Sequence, residues 1–223
     1  NIAHQWRQPL SAISTSASGV KLQKEYATLS DKDMFEALDN IVQNTKILSH
    51  TIDDFRNFFS FDKSKKNFNI ENTIKKVFTL VKANFKNKDI EIITNIKEIE
   101  VYSFENELIQ VILNVLNNAR DALSENKDLS KRYIFININD NDGSLNIEIK
   151  DSAGGIAKDI LNRVFEPYFT TKEKSQGTGI GLYMSKDIVT KHLEGSLEVR
   201  NTTYSYNNET FMGASFTIEI PIV

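Results

Sequence analysis

Apolar residues recur at heptad spacing through the first sixty positions. Ala3, Trp6, Leu10, Ile13, Ala17 and Val20 mark one stripe, and Leu38, Ile41, Thr45, Leu48, Ile52, Phe55 and Phe59 mark a second. Two long amphipathic helices are predicted. The interruption, Ala27 to Asp31, is short, and Ser30 followed three residues later by Asp33 has the form of a capping box opening the second helix. Two long helices joined by so few residues run antiparallel. A lone hairpin leaves much of its apolar seam wet, so the expectation is a homodimer whose four helices form a bundle.

The heptads stop after Phe61, where Asp62-Lys63-Ser64-Lys65-Lys66 reads as a charged linker. The predicted domains are therefore a helical hairpin over 1–61, a linker over 62–66 and a second domain over 67–223. In the second domain the periodicity predicts helices near Ile70 to Phe85, Glu105 to Leu123 and Gly181 to Leu193. Strands are predicted at Ile90 to Ile93, Ile134 to Ile138, Leu145 to Lys150, Ser196 to Arg200 and Ser215 to Ile220. That order predicts an α+β sandwich, with helices against one face of a mixed sheet. The Asn/Thr/Tyr/Ser stretch from Asn201 to Asn208 reads as a hairpin loop.

Composition narrows the function classes. A chain of 223 residues, 40% hydrophobic and 26% charged, reads as globular and can bury real cores. It has no apolar run near the length of a membrane span and no signal-type segment. The absence of cysteine excludes disulfides and thiol chemistry. A formal net charge of -3 offers no general attraction to nucleic acid or to an anionic membrane, so neither is an expected partner. Asn1 stands just before a candidate reactive histidine with no helix start visible, so further domains are expected upstream.

Four blocks carry candidate chemistry. Gly177-Thr178-Gly179-Ile180-Gly181-Leu182 opens a predicted helix, where amides without side-chain bulk can face phosphate oxygens. Glycines so spaced also make plain tight turns. Asp151 ends a strand and starts Asp151-Ser152-Ala153-Gly154-Gly155-Ile156; its carboxylate accepts only, which suits an exocyclic amine such as adenine's, and it suits a simple turn equally. Asn114 and Asn118 lie four apart on an otherwise apolar helix, so both amides share a face. Their carbonyl oxygens suit magnesium, or the pair is a buried, backbone-satisfied one. Glu107 and Asp121 are both read as helix surface or edge rather than catalytic. The fourth block is Phe165-Glu166-Pro167-Tyr168-Phe169.

In this order, after a heptad hairpin that begins His4-Gln5-Trp6-Arg7-Gln8-Pro9-Leu10, and with Gly213 to Pro221 as a terminal strand, the blocks resemble the bacterial sensor histidine kinases. The resemblance implies that residues 1–61 are a dimerisation and histidine phosphotransfer domain and 67–223 a catalytic ATP-binding domain of the gyrase, Hsp90, MutL type. His4 becomes the phosphoacceptor, attacking the γ-phosphate of ATP. Arg7, Gln8 and Asn114 stand with it as catalytic positions, and Asn118 as the Mg2+ ligand. Asn114, Asn118, Asp121, Asp151, Gly155, Ile156, Thr171, Lys172, Gly177, Thr178, Gly179, Ile180, Gly181 and Leu182 are the implied nucleotide-binding residues. The implied partners are a second copy of the chain and a response-regulator receiver domain, met by the face carrying Gln8, Ser11, Thr15, Ser18 and Leu22. The implied location is the cytoplasm, with an inner-membrane anchor open for the full-length protein.

Three positions depart from the family pattern. Gln5 stands where an acidic residue usually follows the histidine, and an amide cannot act as a base. Gln8 replaces the usual Thr or Asn used to orient water for dephosphorylation, which leaves phosphatase activity open. Ala153 replaces the first glycine of the Asp-x-Gly-x-Gly block. Gln5 and Ala153 motivate an alternative, a dimeric scaffold with a silent site. A gyrase-like ATPase is a third reading, one that leaves His4 unexplained. His50 and His192 are expected to have no chemical role, and Trp6 is expected to be core.

Overall fold

The computed structural model describes residues 2–59, 64–126, 129, 131–172 and 179–222, with the side chains of residues 2–8, 47 and 50–59 outside that description. The chain divides into two compact units. One comprises the N-terminal helices with the 168–179 segment, and the other comprises 60–167 with 180–223.

The first unit is built on α1 (Ile2–Glu25), which contains Pro9, and α2 (Asp31–Phe59). Ser30 caps α2 as expected. Its Oγ accepts from Asp33 N at 3.1 Å and donates to the Asp33 carboxylate at 2.6 Å, so the two residues close the first turn reciprocally. The heptad stripe is only half used. Ile13, Val20, Ile41 and Leu48 are half-buried, whereas Ala17 is exposed and Leu10 and Leu38 are 54% and 46% exposed. A single hairpin covers one side of each helix, and the other side of the stripe keeps its apolar groups outward.

The second unit is the α+β sandwich. A five-stranded sheet runs in the order β2 (Ile90–Ile96), β4 (Arg132–Asn141), β5 (Ser144–Asp151), β7 (Glu209–Pro221), β6 (Ser196–Tyr206). The β2–β4 pair is parallel and the other pairs are antiparallel. Helices α3 (Ile70–Lys86), α4 (Glu105–Glu125) and α5 (Gly181–Lys191) supply the opposing layer. A two-stranded antiparallel ribbon, β1 (Lys66–Asn69) with β3 (Glu100–Ser103), was not foreseen; four-residue strands give the periodicity too little length to register.

Sequence dictates these elements locally. Asn69 caps α3, its Oδ1 accepting from Glu71 N at 3.0 Å and Asn72 N at 3.3 Å. Ile70, Ile74, Val77, Val81 and Phe85 then fall on one face and are buried. On α4 the buried row is Leu108, Val111, Ile112, Val115, Leu116, Ala119 and Leu123. The sheet answers with Ile134, Ile136, Ile138, Leu145, Ile147, Ile149, Leu197, Phe216, Ile218 and Ile220 in the same core. Each large side chain so buried is worth about 1.5–3 kcal/mol relative to exposure.

Two expectations are corrected. Residues 201–208 are not a loop: β6 continues to Tyr206 and β7 begins at Glu209, with a two-residue turn of Asn207 (φ 50°) and Asn208 (φ 62°). Asparagine tolerates the left-handed region that such a tight hairpin turn demands. Glu107 is not surface: it is 2% exposed, and both its carboxylate oxygens lie near His192 Nδ1, at 3.0 and 3.2 Å. A charge in the first turn of a helix ordinarily faces water, but here the end of α5 covers it.

Candidate nucleotide site

Strand parity places the central carboxylate. Leu145, Ile147 and Ile149 of β5 point into the core, and Asp151 is the next position on that face. It is 4% exposed, and its Oδ1 accepts from Ala153 N at 2.9 Å and Ala214 N at 3.2 Å. No cation is paired with it among the described residues. Burial pushes its pKa up from 3.8 to about 6, against the opposing pull of those two amides. The group is thus costly to keep charged.

The turn after it is set by two glycines. Gly154 and Gly155 have φ of 98° and 85°, whereas Ala153 is not in the left-handed region. The departure at Ala153 therefore falls where alanine fits without strain. Ile156, half-buried, packs its side chain against the core.

Asn114 and Asn118 share a face of α4, as predicted. Asn114 Nδ2 donates to Ser185 Oγ at 3.1 Å and to Gly181 O at 3.4 Å, so it ties α4 to the first turn of α5. Asn118 Nδ2 donates to Asn114 O at 2.9 Å, which engages the nitrogen on its own helix and directs the amide oxygen away from that carbonyl. Asp121 receives Arg120 Nε and Nη2 at 2.8 and 2.5 Å. Its carboxylate is committed to its neighbour at the border of the site.

Helix α5 begins at Gly181, and its N-cap residue Ile180 makes no side-chain cap hydrogen bond. Leu182 packs against the core. Within the first unit Tyr168 N donates to Gly179 O at 2.8 Å, drawing the ends of the 168–179 segment together. At Gly179, φ is 65° and a Cβ would lie 2.4 Å from the Tyr168 carbonyl carbon, so only glycine fits. Thr171 is exposed, and Lys172 N donates to Thr170 Oγ1 at 3.1 Å. Gly177 and Thr178 lie outside the described residues. His4, Gln5, Trp6, Arg7 and Gln8 lie on the described backbone of α1, with their side chains outside the description, as is that of His50.

Three site residues escaped the sequence reading. Asn201 holds the backbone of Ile156, Tyr204 Oη donates to Asp151 O at 2.9 Å, and Gly213 lets β7 touch Asp151. Burial and the nearby Asp151 charge raise the Tyr204 pKa, so its phenol remains a donor. The alternation of Thr202, Tyr204 and Tyr206 up to the Asn207-Asn208 pair was the available signal of a strand and tight hairpin.

The fold is that of an ATPase domain, and residues 104–223 match the family model of the histidine kinase-, DNA gyrase B-, and HSP90-like ATPases. The chain belongs to that family, and its relatives are bacterial sensor histidine kinases. The two-component sensor PprA of Pseudomonas aeruginosa is 38% identical over 118 residues, which cover 52% of this chain and 12% of PprA. The C4-dicarboxylate transport sensor protein DctB of the same organism is 26% identical over 205 residues, covering 90% of this chain and 32% of DctB. The chain thus spans about a third or less of these curated relatives. Among solved structures, histidine kinase ThkA in complex with response regulator protein TrrA superposes with a TM-score of 0.68 at 20% identity, over 100% of this chain and 60% of that one, a likeness of fold.

Proposed function

We propose that the chain is the kinase core of a two-component sensor, binding ATP in the second unit, phosphorylating His4 and passing the phosphoryl group to an aspartate of a response-regulator receiver. The observation that carries this reading is Asp151: a core-facing carboxylate beside a two-glycine turn, unpaired with any cation among the described residues and suited to an adenine amine. The ThkA–TrrA complex supports the partner, since that kinase is seen with a response regulator.

In the transfer, a ring nitrogen of His4 forms the new P–N bond as the bond from the γ-phosphorus to its bridging oxygen breaks and ADP leaves. The imidazole proton passes to water or to a group other than Gln5. Among the described residues no cluster of three or more His, Cys, Asp or Glu side chains could hold a metal. Mg2+ would be held by the Asn118 amide oxygen together with nucleotide phosphates and water, hard oxygen donors of the kind that ion favours. Bound so, it would neutralise charge on the transferring phosphoryl group. Asn114 holds the start of α5; Gly177, Gly179 and Gly181 are the proposed phosphate-cradle glycines, and Thr171 and Lys172 further proposed nucleotide-binding residues.

The proposed domains are a dimerisation and phosphotransfer hairpin over 1–61, a linker over 62–66, whose last residue already opens β1, and the catalytic domain over 67–223. The outward apolar groups Leu10, Leu22, Phe35, Leu38 and Val42 support a homodimer in which a second hairpin completes a four-helix bundle. Ser11, Thr15, Ser18 and Leu22 are exposed on α1, which supports their use as the receiver-docking face. The proposed core works where ATP is, facing the cytoplasm, and no helix among the described residues is long and apolar enough to cross a membrane. Incubation with labelled ATP and Mg2+ should yield an acid-labile phosphoprotein, and His4→Gln should abolish it. Label retained on that variant would sink the assignment.

A further inference from the structure

The β6–β7 hairpin outruns its neighbour. Lys150 with Ser215 is the last paired position between β5 and β7. β6 and β7 nevertheless stay paired for six more positions, from Asn201 with Ala214 to Tyr206 with Glu209. This arm is fastened to β4 by aromatic contacts. Tyr206 and Phe211 meet Tyr133 edge-on at 5.2 and 5.3 Å, and Tyr204 and Tyr206 meet Phe135 at 4.9 and 5.1 Å.

So anchored, the arm grips the turn 151–156 along its length. Besides the bonds to Asp151 from Ala214 N and Tyr204 Oη, Gly154 N donates to Met212 O at 2.9 Å. At the far end Ile156 N donates to Asn201 Oδ1 at 2.8 Å, and Asn201 Nδ2 donates to Ile156 O at 2.6 Å. One amide side chain thus reproduces for Ile156 the two bonds that a facing strand residue would exchange. The fit is close, since a Cβ on Gly155 would fall 2.7 Å from Asn201 Oδ1. A turn with two consecutive glycines at positive φ has more freedom to lose than any other sequence, so something must hold it.

We infer that Asn201 is a positioning residue for nucleotide binding: it fixes Ile156, and with it the turn that adjoins Asp151, in the bound geometry before ATP arrives. The inference rests on the nucleotide reading above. Ordering the turn in advance removes a cost that would otherwise fall on each binding event. It acts on affinity, not on the phosphoryl transfer itself.

The test measures ADP binding by calorimetry, with thermal unfolding of the nucleotide-free chain alongside, for wild type, Asn201→Ala, Asn201→Asp and the exposed same-strand control Thr203→Ala. Asn201→Ala should bind ADP about tenfold more weakly or worse, with Thr203→Ala unchanged, because two bonds and the order they impose are lost. With ATP as substrate the loss should appear in KM, while the rate of His4 labelling at saturating ATP is kept. Asn201→Asp, equal in size, still accepts from Ile156 N but has no N–H for Ile156 O; it should bind with intermediate affinity, and it decides the matter if the alanine variant does not fold. Affinities of the folded variants equal to wild type, with only the unfolding temperature or the fraction of active sites reduced, would overturn the inference. A wild-type chain that binds no ADP would instead overturn the nucleotide reading.

Discussion

Replacing Asp151 by Asn should stabilise the nucleotide-free protein and weaken its complex with nucleotide. Burial lifts the Asp151 pKa from 3.8 to about 6. A difference of about two units corresponds to about 3 kcal/mol spent on keeping the charge at a pH well above 6. The folded pKa lies above the unfolded one, so the stability linked to this group is fully present below about 3.8 and is lost as pH rises through about 6. The introduced amide would keep an oxygen for Ala153 N and Ala214 N and would carry no charge. The variant should therefore gain up to about 3 kcal/mol at pH 8, or about 6–12 °C in unfolding midpoint, with the gain vanishing as pH falls toward 3.8. Its new N–H groups would face an adenine amine that is itself a donor, so ADP affinity should fall about a hundredfold. In the wild type, affinity should decline as pH drops through about 6, and in the variant that dependence should be absent. Urea unfolding at several pH values, with and without ADP, reads all of this. A nucleotide-free Asp151→Asn protein less stable than wild type at pH 8 would show that the carboxylate serves the fold, and the reasoning would fail.

Gly213→Ala probes the same turn from the other side. A Cβ there would lie 1.7 Å from Asp151 O and 2.8 Å from Asp151 Oδ1, so β7 must withdraw and sacrifice bonds from Ala214 N, Gly154 N and Tyr204 Oη. At about 1 kcal/mol each this is about 3 kcal/mol, readable as a lowered urea midpoint; an unchanged midpoint would contradict the packing described. Glu105 is 3% exposed and receives Thr73 Oγ1, Lys76 Nζ and Lys66 Nζ at 2.8, 2.6 and 3.2 Å. Burial pushes its pKa up, but these donors outweigh it and hold the carboxyl below its ordinary range. Its stabilisation is thus present above pH 4.5 and lost as pH falls through the depressed pKa. Glu105→Gln should cost about 1–2 kcal/mol at pH 7, both lysines being half-exposed, and the gap to wild type should close in acid.

What the sequence made legible was local. Helices α3, α4 and α5 announce themselves because apolar spacing and capping act within a few residues, as with Asn69 ahead of Ile70, Ile74 and Val77. What stayed hidden depends on partners far along the chain. Asn201 meets Ile156 across 45 positions and Tyr204 meets Asp151 across 53, and neither distance leaves a mark on spacing. Glu107 looked solvent-facing because nothing near it in sequence foretells His192, 85 residues on. The heptads of α1 and α2 named apolar positions correctly but could not say which of them a hairpin would cover, since Leu10 and Ile13 look alike until a neighbour is chosen.

The sequence around Asp151 carries its burial as well as its turn. Taken alone, an aspartate before glycines starts a turn as readily as it binds a ligand. But Leu145, Ile147 and Ile149 fix the inward face of β5, and strand geometry then commits position 151 to that face. Lying inward gives the carboxylate Ala153 N and Ala214 N as donors, but burial outweighs them and opposes its charge by about two pKa units. Parity therefore marks Asp151 as a buried carboxylate from the sequence alone. A carboxylate in step with three buried aliphatic residues, beside a turn of two glycines at positive φ, is costly to keep charged, and the adenine amine is the donor proposed above to offset that cost.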